Sequence, residues 1–106
     1  MTQVNSITDL GFVGGKHLYH LKVTGLVLDA GVGTVNMPCD QIQAIVGGET
    51  TTETTNDYVL ATKYTTSGNV LSITVEKQKI SGTNTWGAAE TEDVSESVYS
   101  LFVLGL

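Results

Sequence analysis

Tyr58–Lys77 reads YVLATKYTTSGNVLSITVEK, and this stretch decides the fold. Two strand-like runs flank Ser67-Gly68-Asn69, a tripeptide rich in turn formers. If Gly68-Asn69 fill the two central turn positions, Tyr64 falls opposite Ile73 and Thr62 opposite Val75. Tyr58, Leu60, Thr62 and Tyr64 then share a face with Leu71, Ile73 and Val75. Val59, Ala61, Lys63 and Thr65 share the other with Ser72, Thr74 and Glu76. A three-residue turn would send one strand's apolar set to the wrong side, so it is rejected. The Lys63 and Glu76 pair lies diagonally on the wet face, where an exposed ion pair weighs little.

Outward from the hairpin the grammar stays β. Tyr19, Leu21 and Val23 alternate with His20, Lys22 and Thr24, and Leu26-Val27-Leu28 resumes after Gly25, which is read as a bulge within Lys16–Leu28. Asp29-Ala30-Gly31 reads as a turn, and Gly33–Met37 as a short strand stopped by Pro38. Asp40–Val46 fits a helical face (Ile42, Ile45, Val46) and also an alternating strand (Ile42, Ala44, Val46); its neighbours favour the strand. Gly47–Asp57 and Ser81–Glu92 read as loops. Val94–Leu106 reads as a final strand, apolar on both faces from Tyr99 onward. The expectation is an all-β fold: a single antiparallel β-sandwich or small β-barrel over residues 16–106, with residues 1–15 as an N-terminal arm or edge strand.

Composition narrows the function. The 106 residues suit one domain, and only 15% are charged, with Thr, Ser, Asn and Gly in their place. The net charge is −6, and the five basic residues are all lysines. A chain without arginine that repels polyanions is a poor nucleic-acid binder. Cys39 stands alone, so neither an internal disulfide nor a cysteine metal cluster can form, in keeping with assembly in a reducing compartment. No secretory signal pattern opens the chain, and no apolar run reaches the ~20 residues of a membrane helix.

The chemistry-bearing residues do not assemble into a catalytic pattern. His17 and His20 would share a helical face, but on a strand they point to opposite sides, which argues against a joint metal site. Gly11–Lys16 fails the phosphate-loop spacing, and His17 stands where Ser or Thr should bind magnesium. Cys39 has no local nucleophile signature and reads as a structural thiol. Glu90, Glu92, Asp93 and Glu96 lack EF-hand spacing and read as a solvated acidic loop. The chain is therefore expected not to be an enzyme and to need no cofactor or metal.

A short, acidic, cysteine-poor chain with a glycine pair at Gly14-Gly15, a Thr/Gly-rich β body, a hairpin at TSGNV (Thr66–Val70) and a closing LFVLGL (Leu101–Leu106) resembles small virion structural proteins of tailed bacteriophages, especially capsid decoration or cement proteins. The resemblance implies a compact β-fold that oligomerises and clamps neighbouring capsomers. It implies the major capsid protein or another virion protein as partner, assembly in the host cytoplasm and a final place on the capsid surface. The residues themselves supply candidate contacts: Phe12 and Val13 in the arm, Trp86 in its loop, and Tyr99, Phe102, Leu104 and Leu106 at the end. The alternative is a carbohydrate- or ligand-binding β-sandwich module of a tail or cell-surface protein. It would use Trp86, Tyr58 and Tyr64, with Asn84 and Asp57 near them in sequence.

Overall fold

The computed structural model describes residues 2–51, 58–79 and 85–106. Eight strands run in the order β1 (Val4–Val13), β2 (Lys16–Thr24), β3 (Val32–Asn36), β4 (Ile42–Thr51), β5 (Tyr58–Ser67), β6 (Val70–Lys79), β7 (Trp86–Ala88) and β8 (Val98–Gly105), with one 3-10 turn at Thr91–Val94. They form two antiparallel sheets, β1-β2-β8-β4 and β3-β6-β5, with β7 added beside β6. The result is a sandwich rather than a barrel.

The hairpin pairs as its turn chemistry requires. Ser67 lies opposite Val70, Tyr64 opposite Ile73 and Thr62 opposite Val75. Gly68 supplies the positive φ of 59° that a two-residue turn needs at its first central position. Leu71, Ile73 and Val75 are fully buried. Facing them across the sandwich are Tyr19, Leu21 and Val23 of β2 and Tyr99, Leu101 and Val103 of β8. Each fully buried aliphatic side chain contributes about 1.5–3 kcal/mol. Tyr99 carries its hydroxyl into the core beside those of Thr62 and Ser97, and burial pushes its pKa up.

Several expectations are sharpened or corrected. Of arm and edge strand, residues 4–13 form the edge strand, ten residues closed onto β2 by Gly14-Gly15 with φ of 59° and 81°. Its start is pinned to the other sheet: the Gln3 side chain donates to the Thr34 carbonyl at 3.0 Å and accepts from the Val27 amide at 3.1 Å. Gly25 is not a bulge within a longer strand. β2 ends at Thr24, and Gly25 at φ 62° redirects the chain, so that Leu26 reaches the core. At the next turn Asp29 and Val32 exchange both backbone hydrogen bonds across Ala30 and Gly31, which both have positive φ. Asp40–Val46 gives a strand, as its neighbours suggest, but β4 continues through Gly47-Gly48 to Thr51, where a loop is expected. Gly48 lies against β8, where a Cβ would meet the Ser100 carbonyl oxygen and come within 2.9 Å of Leu101 Cα. The glycine marks close backbone approach, not a loop boundary. The expected loop at Ser81–Glu92 contains β7, paired with β6 from Glu76 to Gln78; residues 80–84 lie outside the described residues, as do 52–57.

Candidate interaction surface

The first sheet ends in a row Phe12–His17–Gly105–Ile42 across its four strands. The next outward-facing row is Leu18–Leu104–Ala44, and the one after it Thr8–His20–Phe102–Gly47. Ten large apolar side chains are exposed among the described residues, and six of them gather in this half of the sheet: Leu10, Phe12, Val13, Val46, Phe102 and Leu106.

Local chemistry builds this end. An extra residue interrupts the β1–β2 register between Asp9 and Phe12. Gly11 takes φ 106° there, and its amide donates to Asp9 Oδ1 at 2.8 Å. The bulge returns Phe12 to the same side as His17, and the two rings lie 4.1 Å apart. His17 Nδ1 sits 2.9 Å from Asp9 Oδ2, and its ring stacks on Tyr19 at 5.8 Å. Phe12 is thereby held, yet 71% exposed. On the other side of the sheet His20 Nε2 lies 2.8 Å from Ser100 Oγ, and its ring meets Phe102 at 5.1 Å. The two histidines thus face opposite sides, as strand spacing requires, and each has its own partner.

The end is braced from below. Leu106 accepts from the Asp40 amide at 2.8 Å and donates to the Gln41 carbonyl at 2.9 Å. The Ile42 amide donates to the Gly68 carbonyl at 2.8 Å, which ties the hairpin turn to β4. The Tyr19 hydroxyl donates to the Pro38 carbonyl at 3.0 Å. Cys39 rests on Gly105, where a Cβ would come within 2.7 Å of its sulfur. Burial pushes the Cys39 thiol up, and neighbouring Asp40 adds to the effect, so the thiolate is disfavoured at neutral pH. Phe12, Val13, Phe102, Leu104 and Leu106 of the expected contact set therefore share one end of one sheet, with Leu104 half-buried on its outer face.

Two expected contact residues lie elsewhere. Tyr99 is fully buried in the core and is withdrawn from the surface, because its parity along β8 matches Leu101 and Val103. Trp86 lies beside the other sheet, in β7, and is 42% exposed. Leu10 and Val46 are exposed here but absent from the expected contact set. Each adjoins a register shift, where strand parity gives no guide to facing.

Trp86 borders a shallow hollow of about 290 Å³ that also touches Ala30, Gly31, Thr74, Glu76 and Ala88. A second hollow of about 490 Å³ shares Ala30 and Ala88 and continues to Glu90, Thr91 and Glu92. Its acidic wall is organised by Asp93. That carboxylate accepts from the Glu90 amide at 2.9 Å and from Lys77 Nζ at 3.0 Å. Lys77 also lies 4.7 Å from the centre of the Tyr58 ring. A hydrogen bond with Glu90 holds the Glu92 carboxyl above its usual range. The reading of Glu90–Glu96 as a solvated loop thus fails at Asp93, which is buried and paired.

Among the described residues there is no group of three or more His, Cys, Asp or Glu side chains that could hold a metal, and no helix long and apolar enough to cross a membrane. No family model, curated protein or solved structure matches the chain.

Proposed function

We propose that this chain is a structural assembly protein of a virion, binding and stabilising a phage capsid in the manner of a decoration or cement protein. The carrying observation is the gathering of exposed apolar side chains at the Gly105 end of the first sheet. Scattered exposed apolar residues are ordinary, but six gathered at one braced end of a sheet, on both of its sides, suit an end that becomes dry on assembly. The low charge and net −6 are compatible with packing against protein rather than genome.

The test is co-sedimentation with capsids from which this chain is absent. The double variant Phe12→Ser, Phe102→Ser is expected to weaken binding by roughly a hundredfold, because aromatic anchors dominate interface energies. Both side chains are substantially exposed, so the thermal midpoint of the free chain should hardly move. Wild-type binding by the double variant would remove this reading.

The exposed Trp86 beside its hollow favours a second reading, a carbohydrate- or ligand-binding module. Trp86 is the only tryptophan, so its fluorescence reports that site alone. A sugar stacked on the indole is expected to shift its emission to the blue during titration. Unchanged emission across a broad glycan panel eliminates the second reading.

A further inference from the structure

Sandwich edges carry unpaired backbone groups, and soluble proteins protect them with short strands, bulges, lysines or proline. Three edges here are protected. β3 has only five residues. β4 carries two register shifts, between Ile42 and Ala44 and between Ile45 and Gly47. β5 presents exposed Lys63 near its middle. β1 differs. Its bulge at Gly11 protects only one end; the stretch Val4–Asp9 before it pairs regularly with Thr24–Tyr19 and contains neither lysine nor proline. Its one charged side chain, Asp9, is already engaged by His17 and the Gly11 amide.

The backbone direction of this edge follows from the turn. A two-residue hairpin closes on a hydrogen-bonded pair, here Val13 and Lys16. Alternation along unbroken β2 then directs its even-numbered residues toward β1. Their partners Val4, Ser6 and Thr8 are therefore bonded inward. Asn5, Ile7 and Asp9 turn their N–H and C=O groups to the open edge.

We propose that two copies of this chain pair through β1, antiparallel about a twofold axis at Ile7. In that register Ile7 lies opposite the partner's Ile7, and Asn5 opposite the partner's Asp9, so an amide meets a carboxylate. Ser6 lies opposite the partner's Thr8. Val4, 56% accessible, lies toward the partner's bulge at Leu10-Gly11, where the regular pairing ends. Competing registers are worse. An axis at Thr8 sets Ile7 against Asp9, an axis at Ser6 sets Val4 against Thr8, and an axis at Asp9 opposes two carboxylates. The self-complementarity of this one register names the occupant as a second copy. The dimer would join the two first sheets into one of eight strands. It goes beyond the capsid reading and uses a different surface, so either can fail without the other.

Sedimentation velocity tests the association, and cysteine pairing tests the register. The chain is expected to sediment at twice its 11.2 kDa mass. Asn5→Asp keeps the acceptor for Gln3 Nε2, which bonds Asn5 Oδ1 at 3.0 Å, but sets two like charges across the axis. It is expected to weaken the dimer about tenfold, with an unchanged thermal midpoint at concentrations where both proteins are monomeric. In a Cys39→Ala background, the double variant Ser6→Cys, Thr8→Cys should form a covalent dimer under mild oxidation, whereas either single variant should not. A chain that stays monomeric at its highest soluble concentration overturns the proposal. So does a dimer indifferent to Asn5→Asp, or one that either single cysteine links as well as the pair.

Discussion

Asp93→Ala is expected to destabilise the fold by about 3 kcal/mol, lowering the thermal midpoint by roughly 12–20 °C. The Asp93 side chain is 11% exposed and that of Lys77 21%, so removal of the carboxylate leaves a largely desolvated ammonium beside Tyr58 and an unsatisfied Glu90 amide. Asp93→Asn should cost less, because an amide oxygen can still accept from Glu90. The pH dependence has a definite sign. Burial alone would raise the Asp93 pKa, but the Glu90 amide and Lys77 outweigh it and hold the carboxyl below its ordinary 3.8. Its contribution is therefore present above about pH 4 and is lost as pH falls through the depressed folded value. The bond to Asp93 raises Lys77 above its ordinary 10.5, against the effect of burial. That contribution is complete below pH 10.5 and is lost as pH rises through the folded value. Urea unfolding of wild type and variant at a series of pH values from neutral to about pH 2 should show a wide gap that narrows below about pH 4. A gap that persists in acid would sink the ion-pair account.

Gly48→Val is expected to yield no folded protein, and Gly48→Ala to cost about 3 kcal/mol, at the upper end of ordinary overpacking. A Cβ at this position meets the Ser100 carbonyl oxygen, with Leu101 Cδ2 at 2.7 Å and Leu101 Cα at 2.9 Å. Backbone cannot rotate aside as a side chain can, and β8 is held on both edges by β2 and β4. Adjacent Gly47 is the internal control. Nothing lies within 4 Å of a Cβ built there, so Gly47→Ala should be close to neutral. Equal thermal midpoints for the two alanine variants would contradict the packing described for β4 and β8.

The hairpin was legible because its register depends on a two-residue turn and a period of two, both local. The same holds for His17 and His20, whose opposite facings follow from strand spacing alone. β8 was legible only in part. Its two apolar faces are evident in the sequence, but which face is core depends on β2 and β4, far away in the chain. Parity placed Tyr99 inside and Phe102 outside, a division that a run of apolar residues does not announce. Gly47-Gly48 misled because glycine ends loops and also admits close strands, and only the facing Ser100-Leu101 backbone distinguishes the two. β7 was hidden because three residues carry no periodicity. Asp93 was hidden among other carboxylates because Lys77 reaches it from β6, sixteen residues earlier in the chain. The apolar end was half-visible: Phe12, Val13, Phe102, Leu104 and Leu106 can be listed from the sequence, but their convergence is a property of topology.

The place of β8 between β2 and β4 has a consequence for how the molecule comes into being. β5 and β6 are neighbours in sequence and can zip as soon as both exist. In the first sheet only β1 and β2, joined by Gly14-Gly15, can do the same. Its central strand is synthesised after its flanking strands, so β2 and β4 must wait with unfilled inner edges while more than forty further residues emerge. Closing loops of that length to seat β8 between β2 and β4 is slow for a chain this small. Until β8 arrives, the nascent chain exposes the edges most prone to pairing with the wrong strand, and the temperature and pace of synthesis should govern how much of it matures.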